Sequence, residues 1–234
     1  MAILLGLRGK RVVIAERWPE LYDRPRAVTM DAEVARILAT LGIDVDHDPA
    51  FENHKELYYW KNAALHDLQI VDWESLAPCG WHVTYWFNQP EFETRLIEIV
   101  QTLPSVTLLR GWTAVNLQED DRGTHVKLLD TETETSCIQL CAEFLVGADG
   151  ANSFVREHLG LTVVDKGYFF DWLILDMVPD ASYRTSPAQW QLCDPKRPTT
   201  IVPGGPGRRR WEFMVLPTED PVEIAKQESA WQLL

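Results

Sequence analysis

Two short stretches carry residue types that could do chemistry at a turn. The first is RVVIAE (11–16), an apolar run that closes on an acid. Such a run reads as a buried parallel strand. A carboxylate ending the second strand of a βαβ unit is placed to accept both hydroxyl protons of an adenosine ribose. The glycine turn that cradles the pyrophosphate in such a unit lies about 20 residues before the acid. Counting back from Glu16 runs off Met1, so the chain is expected to begin inside the unit, with its first strand and glycine turn missing. The plainer alternative is a solvated acid at a strand end, and spacing alone leaves both open. The second stretch is FLVGADGANSFVR (144–156), an apolar run ending in Gly147-Ala148-Asp149-Gly150 just ahead of a helix start. Gly147 and Gly150 permit a sharp turn and the close approach of a ligand. Asp149 would project at the carboxyl end of a strand, where α/β sheets bind ligands; taken alone, it could equally be a helix cap.

Other chemistries find less support. Cys79, Cys137, Cys141 and Cys193 form no Cys-x-x-Cys pair. Cys137 and Cys141 would share one strand face, but a zinc site needs a second pair, so two small buried side chains are expected. His47, His54, His66, His82, His125 and His158 show no ligand spacing and accompany no nucleophile elbow, which leaves them as surface or satisfied residues. Gly204 to Gly207 followed by Arg208, Arg209 and Arg210 lacks the Lys-Ser/Thr ending of a phosphate loop. It reads as a hairpin turn with a basic tip.

The elements that must position these residues follow from periodicity. Helices are expected at 2–7, at 30–41 with Gly42 as its stop, and after Asn88, where Pro90 and Glu91 suit a first turn and Pro104 ends the run. Aromatic and β-branched runs place several strands within 55–88 and further strands at 106–110, 113–118, 125–129, 136–141 and 143–146. A short helix at 155–159, strands at 168–178, 188–192, 199–202 and 211–216, and a helix over 221–234 complete the expectation. Early alternation of strand and helix, followed by a strand-rich block, describes an α/β chain with an appended sheet.

Composition narrows the partners. The chain has 234 residues, 46% hydrophobic, with 22 basic against 35 acidic side chains and a net charge of −13. That field repels phosphate, so neither nucleic acid nor an anionic membrane is an expected partner. No apolar run reaches the ~20 residues of a membrane span, and no signal h-region opens the chain. A cytoplasmic address is expected, where disulfides are not.

The order and spacing of ERWPE (16–20), PRAV (25–28), NQPEFE (88–93) and GADGANSFVR (147–156) resemble the FAD-dependent aromatic hydroxylases, the single-component flavoprotein monooxygenases. The strongest likeness is to the branch acting on 3-(3-hydroxyphenyl)propionate. RRWEFMVLP (209–217) is similar to a strand of that family's substrate domain. The resemblance implies a partial Rossmann-like FAD-binding domain over 1–160, with strands of an interleaved substrate-binding β-sheet inserted around 55–88, and the rest of that sheet over 161–234. It implies that Glu16 holds the FAD ribose and that Arg17 flanks the adenine or meets the pyridine nucleotide. Arg26 would lie against the pyrophosphate, and Gln89 would contact the flavin side. Asp149 and Gly150 belong to the Asp-Gly motif that touches FAD and is linked to NAD(P)H, while Arg156 supports the turn.

The implied reaction belongs to aromatic compound catabolism. NAD(P)H reduces the flavin, and O2 adds to it as a C4a-hydroperoxide that hydroxylates a small phenolic substrate. Tyr58, Tyr59, Trp60, Tyr85, Trp86, Trp172, Trp190 and Trp211 could wall that pocket, although strands favour aromatic residues in any case. Two family features are missing, the glycine-rich turn and a C-terminal Gly-Asp motif, so the chain looks truncated at both ends. The alternative is therefore an incomplete fragment with weak or no FAD binding. A flavin-free nicotinamide dehydrogenase would need the glycine fingerprint near its N-terminus, and none is there. Loss of a central strand exposes a sheet edge, through which self-association is expected.

Overall fold

The computed structural model describes residues 1–53, 56–180, 182–184 and 186–234. In chain order its elements begin with α1 (Ala2–Gly6), β1 (Val12–Glu16), β2 (Thr29–Asp31), α2 (Ala32–Ala39), β3 (Phe51–Asn53), β4 (Tyr58–Asn62), β5 (Asp67–Val71), β6 (Thr84–Phe87) and α3 (Gln89–Gln101). There follow β7 (Val106–Arg110), β8 (Trp112–Asp120), β9 (Gly123–Asp130), β10 (Cys137–Ala142), α4 (Phe154–His158), β11 (Trp172–Met177), β12 (Trp190–Cys193), β13 (Thr199–Pro203), β14 (Arg209–Met214), α5 (Pro221–Ile224) and α6 (Gln227–Trp231). The mixed α/β class matches the expectation. Packing divides the chain into two units, Met1–Asp23 with Glu93–Tyr168, and Arg24–Phe92 with Phe169–Leu234.

In the first unit, β1 and β7 form a parallel pair, in register from Val12 opposite Val106 to Glu16 opposite Arg110. α1 lies so close that a Cβ on Gly6 would stand 2.5 Å from the Val106 side chain. An antiparallel sheet in the order β10-β9-β8 buries Leu117, Val126 and Leu128, and Phe154 and Val155 of α4 pack on them. Alternation along β10 turns Ile138 and Leu140 toward this core. Cys137 and Cys141 consequently face solvent, which corrects the expectation that they are buried.

The strand expected over 143–146 does not form. Phe144, Leu145 and Val146 are 79%, 39% and 59% exposed. Their composition suits a strand, but a strand needs a neighbour for its backbone groups, and among the described residues none pairs with them. Among the described residues β1 is likewise paired on one side only, and Val13 is exposed rather than buried.

The second unit holds a six-stranded sheet, β11-β14-β13-β12-β4-β5, and a three-stranded sheet, β2-β6-β3. Only the β12–β4 pair of the larger sheet is parallel. Val28, Tyr58, Trp86 and Val202 form a core on which Trp60 and Trp73 pack. Each aromatic ring buried there contributes roughly 2–3 kcal/mol of transfer free energy. The helix expected from Met30 begins at Ala32 instead, because Met30 pairs with Tyr85 of β6 and the Asp31 carboxylate caps the helix through the Val34 N–H at 2.9 Å. The C-terminal helix is two short ones, since Lys226 takes an extended backbone between them.

Candidate functional site

In the second unit the segment Pro25–Ala27 is fastened from two directions. The Gln89 Oε1 accepts the backbone N–H groups of Arg26 and Ala27, each at 2.9 Å. From β14, Arg210 donates through Nη1 to the Arg26 carbonyl at 2.9 Å and through Nη2 to the Pro25 carbonyl at 2.6 Å. The same guanidinium forks onto Asp176 of β11, with both contacts at 2.8 Å. Arg210 is only 2% exposed, and a bidentate carboxylate with two carbonyls is the company a buried guanidinium requires.

The start of α3 is built with equal care. Asn88 caps it through the Glu91 N–H at 3.3 Å. The β13–β14 turn presses against it: a Cβ on Gly205, whose φ is +95°, would lie 2.6 Å from the Asn88 nitrogen. Arg208 adds an ion pair to Glu91 at 2.8 Å. Gln89 therefore leaves a fixed helix start, and the Arg26 backbone has one place to be.

The basic tip expected of this turn shrinks to Arg208. Arg209 and Arg210 are in β14, 7% and 2% exposed, and strand alternation sends them to opposite faces. Arg209 lies over Trp211 at 6.0 Å, and its Nε and Nη2 have no hydrogen-bond partner among the described residues. Burial pushes its pKa down, against the fields of Tyr183, Glu52 and Glu56. Arg210 and Asp176 were not among the candidate residues; the signal available was the strand period running through RRWEF.

In the first unit Glu16 ends β1, and its Oε1 accepts the Trp18 N–H at 3.0 Å. Arg17 is exposed, with its guanidinium 5.2 Å from the centre of the Trp18 ring. Asp149 accepts from the Ser153 hydroxyl at 2.5 Å and from the Val155 N–H at 3.0 Å, while the Ser153 Oγ caps α4 through the Arg156 N–H at 3.0 Å. Slight burial pushes the Asp149 carboxyl up, but these bonds outweigh it and hold the group below the usual carboxylate range. Gly150 takes φ +82°, and a Cβ on Gly147 would lie 2.8 Å from that of Val155. The turn is thus shaped by its own helix.

The aromatic residues divide by face. Tyr58, Trp60 and Trp86 gather with Trp73. Tyr59, Trp190 and Trp211 occupy the opposite side of the large sheet, as the register Tyr59–Trp190–Ile201–Trp211 requires. His47, His82 and His125 have polar partners in Asp44, the Glu74 carbonyl and Asp120, and His54 lies outside the described residues. Among the described residues, no group of three or more His, Cys, Asp or Glu side chains could hold a metal ion, and no helix is long and apolar enough to cross a membrane.

The profile of the FAD binding domain family matches residues 1–233. The chain belongs to that family. Among its relatives, this FAD-binding domain is 32% identical over 231 residues to the "probable NADH-specific resorcinol 4-hydroxylase" of Rhodococcus jostii, covering 99% of the chain and 43% of the relative. It is also 32% identical over 236 residues to a 3-(3-hydroxyphenyl)propionate/3-hydroxycinnamic acid hydroxylase of Burkholderia vietnamiensis, covering 100% of the chain and 42% of the relative. The domain thus spans less than half the length of these relatives.

Solved structures agree on the fold. Aklavinone-11 hydroxylase, crystallised with FAD and aklavinone, superposes with a TM-score of 0.80 at 21% identity, over 99% of this chain and 46% of that one. The p-nitrophenol 4-monooxygenase of Pseudomonas putida gives 0.76 at 21% identity, over 95% and 56%. The donor types present fit the cofactor that names the family. Glu16 keeps one carboxylate oxygen uncommitted among the described residues, which suits ribose hydroxyls, and Arg26 offers a guanidinium from a fixed backbone.

Proposed function

We propose that this domain holds FAD for the hydroxylation of small phenolic substrates with NAD(P)H and O2. The clamp on Pro25–Ala27 carries the reading, because it fixes the backbone of Arg26, the arginine that this reading assigns to the diphosphate. In this reading Glu16 takes the ribose hydroxyls, Arg17 flanks the adenine or the nicotinamide, Arg26 meets the pyrophosphate and Gln89 reaches the flavin side. Asp149 and Gly150 form the turn beside the cofactor. When bound, FAD supplies the two-electron exchange between a reduced nicotinamide and O2. The chain's own task is to orient the ring and keep water away, and the cluster of Tyr58, Trp60, Trp73 and Trp86 supports that role.

The parallel β1–β7 pair with α1 is read as part of a doubly wound dinucleotide layer, and the six-stranded sheet as the substrate layer. Free cysteines suit a reducing cytoplasm. The test is a titration of the purified chain with FAD, followed by flavin fluorescence and visible absorbance. Micromolar binding that weakens about tenfold or more in Arg26→Ala supports the proposal, and NAD(P)H oxidation is then the next assay. A second reading, a catalytically incomplete piece that binds FAD weakly or not at all, draws on the unpaired segment Phe144–Val146. Absence of binding would establish that second reading.

A further inference from the structure

We propose that Glu212 reads the hydroxyl group of the aromatic substrate at the end of a wall formed by Tyr58, Trp60 and Trp73. This rests on the phenol-hydroxylating reading and adds a specificity residue to it. Residues directly opposite one another in a sheet project on the same face. The registers set Trp60 opposite Gln191, Gln191 opposite Thr200, Thr200 opposite Glu212 and Glu212 opposite Ile174. One row on one face therefore runs from an aromatic ring through two neutral polar side chains to an acid. Beside its first residue the rings close up: Tyr58 lies 4.6 Å from Trp60 and 4.3 Å from Trp73, and Trp73 meets Trp60 edge-on at 6.3 Å.

Glu212 is placed to receive a hydrogen bond that the protein itself does not supply. Its side chain is 27% exposed, and the facing cation, Arg210 Nη1, stands 3.8 Å away. That distance is beyond hydrogen-bond reach, and the Nη1 already serves the Arg26 carbonyl. No other hydrogen bond reaches Glu212 among the described residues, and the side chains of Gln191 and Thr200 are equally unengaged.

The electrostatics agree with the geometry. Burial pushes the Glu212 carboxyl up, Asp176 adds to the shift and Arg210 opposes it. Tyr58 feels Glu212 in turn: burial first and that charge second push its hydroxyl up to about 12. A half-buried acceptor that no protein donor reaches among the described residues depends on solvent or a ligand for its hydrogen bond, and a phenolic O–H is a neutral donor carried on a ring that the aromatic wall can hold. A substrate carboxylate could not take this place, because Glu212 and Asp176 would repel it.

The test titrates the full chain by calorimetry with resorcinol and with its dimethyl ether, which keeps the ring and loses both donors. Resorcinol is expected to bind at least about tenfold tighter. In Glu212→Leu the two probes should bind alike, and in Glu212→Gln, which keeps an oxygen acceptor, part of the preference should return. Equal binding of both probes by the parent chain overturns the inference without needing any variant, and so does a preference that survives in a folded Glu212→Leu. In either case the aromatic site stands. If the parent binds neither probe, the phenolic reading itself fails and Glu212 falls with it.

Discussion

Arg210 has a use that no local pattern reveals. Its partners Pro25 and Arg26 lie 185 and 184 residues away in the chain, and its third, Asp176, is on another strand. Replacing it by Met leaves a carboxylate and two carbonyls without their donor, and the expected cost is about 3–5 kcal/mol. Lys should recover little, because an ammonium cannot fork. Urea unfolding of the variants measures this, and a loss below about 1 kcal/mol would show that the clamp does not matter. The sequence pointed to Arg26 and Gln89 through their neighbours in PRAV and NQPEFE. Their bond to each other was not legible, since a contact across 63 residues leaves no spacing to read.

Elements were legible where their signals were local. The start of α3 was written in Asn88, Pro90 and Glu91, and the Asn88 side chain does cap it. The β8–β9 hairpin is closed by Asp120, whose carboxylate accepts the Arg122 N–H at 2.8 Å. Elements that depend on a distant partner were misjudged. Phe144–Val146 has strand composition but, among the described residues, no strand beside it, and Met30 has helical spacing but a partner in β6. The β13–β14 turn offers a controlled comparison at this scale. Gly205→Ala meets both a positive φ and the Asn88 backbone, whereas Gly207→Ala meets a φ of +70° and open space. The first should cost roughly 2 kcal/mol or more and the second about 1 kcal/mol. Denaturation midpoints that fall together would mean that the turn does not press on α3.

At the scale of the whole molecule, the α/β class was visible in the alternation of patterns. An interleaved second domain was expected as well, but the points where the units divide, after Asp23, Phe92 and Tyr168, were not legible, because they are fixed by contacts between segments far apart in sequence. The first unit also leaves apolar surface uncovered. Phe144, Val146, Leu161, Val163, Val164 and Tyr168 are all exposed, and among the described residues β1 keeps an open edge. Surfaces and edges of this kind associate. The purified chain should therefore sediment as a mixture that grows heavier with concentration, and a single monomeric species at high concentration would sink that expectation.

The bonds from Arg210 to Pro25 and Arg26 also set an order of events during synthesis. The first partners leave the ribosome early and the guanidinium that locks them follows 184 residues after Arg26, so an early loop waits for a later strand. Nascent chains that stop short of β14 should be cut readily by trypsin between Arg26 and Ala27, while chains that include β14 resist there. Equal cutting of the two would mean that the loop is set without its late partner. Such an arrangement makes the readiness of the loop a report that translation has passed residue 210.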